Sequence, residues 1–196
     1  MPYFHGKKVE EDLQERLGTD YLVKLAMRYQ SPSIEKGLSE LKLCDKLVIF
    51  PMFPQYASAT TGSVHEKVFN ILKKWTIIPE IHFVSSYSNH PLMIEAFAQR
   101  AREWDLDSFD HFVFSYHGLP KSQVVKADQK GVCFKYENCC ENNPSCYVAQ
   151  CTLTTKEIVK VLGASKDKWT QTFQSRLGKS PWVPPYTDDV LKSLAA

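Results

Sequence analysis

Short apolar runs separated by amphipathic stretches of helical length set what this chain can fold into. Residues 46–50 (KLVIF), 81–85 (IHFVS), 111–116 (HFVFSY) and 169–175 (WTQTFQS) are long enough for strands and too short for helices. After Lys46, KLVIF is a continuous apolar run, as expected of a parallel strand buried on both faces. Residues 21–26 (YLVKLA) read as a further strand. Over 7–17, Val9, Leu13 and Leu17 recur at helical spacing and Gly18 supplies a stop. Ser33 is placed to cap a helix that carries Ile34, Leu38 and Leu41 on one face, and Lys36 offers it no capping-box partner. Val64, Val68, Ile71 and Leu72 share a face of the next helix. Pro91 opens a helix reaching Trp104, at a first turn where a missing N–H costs nothing. Residues 152–162 form another, ended by Gly163, and residues 188–196 begin a last one. Strand and helix alternating in this way predict an α/β fold of parallel sheets flanked by helices.

In such folds ligands bind beyond the carboxyl ends of the strands. The polar segments here do follow strands: Arg28 and Tyr29, residues 54–63, 87–90, 117–120 and 174–176. Five strand ends supplying one cleft is the resulting expectation. Residues 121–145, rich in Cys, Asn, Glu and Lys, read as an atypical loop. The chain enters directly at a helix and stops inside one, so both ends read as cuts.

Composition narrows the class. With 24 basic and 22 acidic residues the formal charge is +2, which gives no case for a nucleic-acid partner. The apolar runs are too short to span a bilayer, and the N-terminus lacks the charged start and apolar stretch of a signal peptide. The expected location is cytoplasmic. Five of the six cysteines fall between Cys133 and Cys151, with Cys44 apart. In a reducing compartment such a group is more often a metal site than a set of disulfides.

Three segments carry candidate chemistry. His117, in SYHGLP at a strand end, is followed by Gly118, so its ring can face a cleft without hindrance from the next residue. Imidazole suits proton removal or metal binding near neutral pH. Taken alone, a histidine that merely hydrogen-bonds its own loop is the commoner case. Residues 54–63 (PQYASATTGS) place hydroxyls and backbone N–H groups at a helix start, where an anion can be held; simple capping by Thr61 or Ser63 explains the same residues. Ser175 and Arg176 together can bind a carboxylate, and Trp182 or Tyr186 can stack on a flat ring, against the alternative of a solvated loop pinned by prolines.

Taken together, these segments resemble ferrochelatases. The match rests on Ala26-Met27-Arg28-Tyr29, PQYASATTGS at 54–63, Asn89-His90-Pro91, SYHGLP at 115–120, YVAQCT at 147–152 and QSRLGKSPWVPPYTD at 174–188, in that order. The resemblance covers Tyr3 to the end. It implies a class II chelatase-like fold, two Rossmann-like halves around a porphyrin cleft. Residues 1–85 would be the C-terminal part of the first half, and 86–196 the N-terminal part of the second, with a Cys-rich insertion at 131–151. It also implies insertion of ferrous iron into protoporphyrin IX or coproporphyrin III. His117 would accept a pyrrole proton or handle the substrate iron. Arg28, Tyr29, Tyr56, Ser58, Thr60, His90, Ser175 and Trp182 would contact the porphyrin, Ser175 through a propionate. Metallation requires the loss of two pyrrole protons and a bent macrocycle, so a base on one face and aromatic walls suit the chemistry.

Complete relatives carry a further strand–helix unit before this span, and later strands that bring an acidic residue opposite the histidine. Glu157 is not assigned that role. The cysteines read C-x5-C-C-x5-C-x4-C, where many relatives have a short link. Soft thiolates in one irregular loop suit a [2Fe–2S] cluster, as a subset of microbial ferrochelatases carries, or a structural zinc, with free thiols as the third reading; the absence of paired C-x2-C knuckles weakens the case for zinc. Four of Cys133, Cys139, Cys140, Cys146 and Cys151 would ligate, with Cys140 preferred over its neighbour Cys139. The alternatives are another class II chelatase acting on cobalt, and a non-catalytic fragment that binds porphyrin or an iron–sulfur cluster. A peripheral membrane contact and the oligomeric state stay open.

Overall fold

The computed structural model describes residues 2–136 and 138–196; Met1 and Glu137, which fall in the N-terminal and cysteine-rich segments, lie outside them. The chain divides into two units, residues 1–53 with 57–85, and residues 54–56 with 86–196.

In the first unit, α1 (Pro2–Leu17) ends where Gly18 takes φ +73°. The segment 21–26, expected as a strand, forms no strand. Side chains of α1 take its backbone groups instead. Gln14 Oε1 accepts from Val23 N and its Nε2 donates to Tyr21 O, while Glu10 Oε1 accepts from Leu25 N. Once those groups are satisfied, β pairing is not needed to hold the segment. The α2 helix (Ile34–Glu40) starts at Ser33, whose side chain accepts from Lys36 N at 3.2 Å. Strand β1 (Lys46–Ile49) then pairs in parallel with β2 (Glu80–Phe83), and α3 (Ser63–Leu72) forms the crossover. Leu47 packs with Ile34 and Leu38 of α2 and with Val68, Ile71 and Leu72 of α3. Both helices serve that face, so β1 is not buried on both sides: Leu47 is 2% exposed and Val48 57%.

In the second unit, α4 (Pro91–Ala101) precedes β3 (Phe112–His117), which pairs in parallel with β4 (Trp169–Gln174) from Phe112↔Trp169 to His117↔Gln174. The connection holds α5 (Lys121–Ala127), α6 (Cys139–Asn142) and α7 (Tyr147–Leu162), so the segment expected as an irregular loop contains two short helices. Helix α7 begins at Tyr147 rather than Thr152, and Gly163 at φ +69° closes it as expected. The chain ends through α8 (Thr187–Leu194). Val124, Cys133, Cys146, Ala149, Cys151, Phe173 and Val183 make the core of this unit. The architecture is α/β with small parallel sheets. Among the described residues no helix is long and apolar enough to cross a membrane.

Candidate functional site

The β3–β4 register brings the carboxyl ends of both strands level, so that His117 lies opposite Gln174 and Ser175 follows immediately. The peptide joining His117 to Gly118 is held at both ends. Gly118 N donates to Gln174 O at 2.8 Å, and Tyr147 Oη donates to His117 O at 2.8 Å. His117 Nδ1 lies 2.8 Å from Gly118 O. A carbonyl oxygen only accepts, so Nδ1 carries the proton and Nε2 of the neutral ring presents a lone pair. Residue 118 is glycine for want of space: a Cβ there would lie 3.0 Å from Gln174 O and 3.2 Å from Trp182 Cε3.

Residues 181–183 pair alongside 119–121, through Lys121 N to Pro181 O and Val183 N to Leu119 O. This pairing sets the Trp182 ring 6.4 Å from the His117 ring, and Trp182 Nε1 donates to Leu177 O. Ser175 has φ +67°, the left-handed region where a side chain costs about 1 kcal/mol or more. Arg176, expected to bind a carboxylate beside Ser175, is already engaged: it pairs with Asp188 at 2.7 Å and Asp189 at 3.5 Å and stacks on Tyr186 at 4.3 Å.

Tyr56 and His90 belong to the same unit. Tyr56 N donates to Gln150 Oε1 at 2.8 Å. His90 stands at the N-cap of α4 without a side-chain cap bond. Gln150 is only 6% exposed, and it also accepts from Ser86 Oγ and donates to Ser145 O. One turn further along α7, Thr154 accepts from Gln55 Nε2 and donates to Ser88 O. Sequence reasoning missed Tyr147, Gln150 and Thr154. Their signal is the spacing 147, 150, 154, which repeats polar residues along an otherwise buried helix face.

The first unit holds the other candidates. Arg28 Nε donates to Ser63 O at 3.2 Å and Ser63 Oγ at 2.9 Å, and its guanidinium lies 4.7 Å from the centre of the Tyr29 ring. Tyr29 is 80% exposed. Ser58–Gly62 form a π-helical turn closed by Gly62 N to Ala57 O, on which Ser58 is exposed and Thr60 Oγ1 donates to Ala57 O. Neither Thr61 nor Ser63 caps α3, contrary to the simpler expectation: Ser63 serves Arg28, and Thr61 is fully buried with its hydroxyl unpartnered.

The cysteines of the 133–151 segment collect in the second unit's core. Cys133, Cys146 and Cys151 are buried there, and Cys140 packs against them. Burial, then the neighbouring Cys146 thiol, pushes Cys133 up to about 12. Burial likewise pushes Cys140 up to about 12 and raises Cys151. Asp128 and Asn143 hold the segment in shape. Asp128 accepts from Cys133 N, Lys130 N and Asn143 Nδ2, and Asn143 also points an N–H at Cys133 Sγ from 3.6 Å. Thiolates of this kind have the chemistry of soft-metal ligands, and these four cysteines share one core. Their arrangement is that of free thiols, since among the described residues no three His, Cys, Asp or Glu side chains converge as metal ligands.

A family model described as ferrochelatase matches residues 4–196. A ferrochelatase of Legionella pneumophila (strain Corby) is 39% identical over 194 residues, covering 97% of this chain and 58% of the relative. One from Coxiella burnetii (strain Dugway 5J108-111) is 37% identical over 201 residues, covering 97% and 55%. Another, from Methylococcus capsulatus, is 36% identical over 190 residues, covering 94% and 53%. The chain thus spans a little over half the length of these curated relatives. A match along nearly its whole length, joined to a small-sheet α/β fold, settles its kinship: this chain belongs to the ferrochelatase family.

Proposed function

We propose that the protein serves insertion of ferrous iron into a porphyrin, protoporphyrin IX or coproporphyrin III, with His117 Nε2 as the acceptor of a pyrrole proton. The observation that carries this reading is the tautomer set by Gly118 O. With Nδ1–H committed to that carbonyl, Nε2 takes the proton as iron replaces it on the macrocycle. The same hydrogen bond then steadies the imidazolium until Nε2 gives the proton to water. Two protons leave the porphyrin for each ferrous ion that enters, so the histidine works twice or shares the task with water.

Trp182, beside the imidazole, offers a face for the macrocycle. The Ser175 hydroxyl, on its strained backbone, is the partner for a propionate; Arg176 is held by Asp188 and takes no part. Tyr56 and His90 are the further porphyrin-contact candidates of the second unit, and Arg28, Tyr29, Ser58 and Thr60 are the candidates that the first unit carries. In this reading residues 1–85 and 86–196 are parts of two Rossmann-like halves, and the setting is cytoplasmic. Cys133, Cys140, Cys146 and Cys151 are the set that would hold a [2Fe–2S] cluster; the position of Cys140 against the thiol core favours it over Cys139. When bound, the cluster would cross-link the 133–151 segment and contribute stability rather than a group for the porphyrin chemistry.

The test is His117→Ala, assayed anaerobically for iron insertion and separately for porphyrin binding by fluorescence quenching. Loss of insertion with binding retained is the expected result. Insertion at the wild-type rate would remove His117 from the proton step.

A further inference from the structure

Tyr147 joins the thiol core of the second unit to the backbone of His117 by a hydrogen bond. It is the first residue of α7, next to Cys146, and one helical turn before Cys151. Its ring packs against the core cluster that holds Cys146 and the fully buried Cys151. The phenol donates to His117 O at 2.8 Å. That carbonyl belongs to the peptide whose N–H is fixed by Gln174 O, and the His117 ring is tethered through Nδ1 to the next carbonyl along. The peptide plane and the ring are therefore one hinged piece, held on one side by β4 and on the other by Tyr147. A phenol is protonated at neutral pH, so it serves this carbonyl as a constant donor. Further along α7, Thr154 donates to Ser88 O and Tyr116 Oη meets Thr155 Oγ1 at 2.9 Å. The first turn is itself held, since Gln150 donates to Ser145 O and accepts from Tyr56 N, and within that frame Tyr147 packs against the core that contains Cys146 and Cys151.

We propose that Tyr147 is a positioning residue for His117, and that through it the packing of the thiol core is felt at the imidazole. This rests on the proton-acceptor role proposed for His117, and deepens it. Tyr147 touches neither porphyrin nor iron in this account. It orients the peptide that orients the ring.

The test is Tyr147→Phe in the full chain, which keeps the aromatic ring and removes only the donor. The ring nitrogens of His117 are followed by 1H–15N correlation spectra, and iron insertion by kcat and KM. The expected result is a displaced His117 Nδ1 signal, with kcat lowered about fivefold, the effect of one lost hydrogen bond on a positioned base, and KM for porphyrin unchanged. Cys151→Ala is expected to displace the same signal in the wild-type background and to leave it unmoved once Tyr147 is Phe. Unchanged His117 signals in Tyr147→Phe overturn the proposal, and so does an equal response to Cys151→Ala with and without the phenol oxygen. Should the Phe variant not fold, 3-fluorotyrosine at 147 strengthens the donor without altering the packing, and an unmoved signal there also overturns it. The spectra need no turnover. If His117→Ala keeps wild-type activity, the proton-acceptor reading falls while the positioning is still decided by the ring signals.

Discussion

Ser175 carries backbone strain at the position proposed to meet a propionate. Its φ of +67° lies in a region where any side chain other than glycine's is disfavoured, and no turn of the regular structure requires it. Glycine there relieves about 1 kcal/mol of conformational cost and returns part of it through a freer unfolded chain. Ser175→Gly is therefore expected to raise stability by a few tenths to about 1 kcal/mol in urea denaturation, while weakening binding of porphyrins with free propionates more than of their esters. Ser175→Ala loses the same hydroxyl without relieving the backbone, so its affinity falls and its stability does not rise. Equal loss of affinity for acid and ester in both variants would show that Ser175 makes no propionate contact. Residue types of this kind are legible in sequence, and their commitments are not. Ser175 and Arg176 read alike as carboxylate binders, yet Asp188 and Asp189 lie beyond a proline-rich stretch and only folding delivers them to the guanidinium. His117 was legible as a strand-end histidine, but its tautomer depends on where the carbonyl of Gly118 turns.

At the level of elements, local periodicity gives most of the helices and β1 to β4, because each buries one face against a neighbour it can reach. It fails for residues 21–26, where YLVKLA has the composition of a strand and Gln14 and Glu10 of α1 take its amides. It also misses α5 (KSQVVKA) and α6 (CCEN), which are too short to carry a helical stripe, and it starts α7 late because Tyr147 to Cys151 read as part of the thiol loop. Helix α7 is the element on which the second unit depends most. Gln150 places an amide in the core and satisfies Tyr56 N, Ser86 Oγ and Ser145 O at once. Leucine at that position fills the space and leaves the half-buried Tyr56 N without its acceptor, while the exposed Ser86 and Ser145 can turn to water and Ser86 keeps its bond to Pro54 O. Gln150→Leu is expected to cost about 1–3 kcal/mol, seen as a lowered urea midpoint with m unchanged. A loss well below about 1 kcal/mol would mean that water reaches Tyr56 N in its place.

For the whole molecule, the pH dependence of stability is expected to run in opposite directions according to whether Cys133, Cys140 and Cys151 are free thiols or metal-bound. In the metal-free protein Cys133 and Cys140 are raised from an ordinary 9.0 to about 12, and Cys151 is raised as well. Between about 9 and 12 the folded chain then keeps protons that the unfolded chain has released. Stability falls as pH rises through that window, by roughly 1 kcal/mol per unit for each well-buried thiol. Thiols bound to a metal have already lost their protons in the folded state, whereas the unfolded chain holds them up to about 9. The sign reverses: stability then rises with pH from neutrality towards 9. Urea midpoints measured anaerobically from pH 7 to 10, with iron, sulfide and zinc assayed on the same sample, separate the two cases. A midpoint climbing to pH 9, with about two irons and two sulfides per chain, supports a [2Fe–2S] centre on these cysteines. A midpoint flat to pH 9 and falling above it, on metal-free protein, assigns the thiols to packing alone, and the iron-insertion proposal then stands on His117, Ser175 and Trp182 without them.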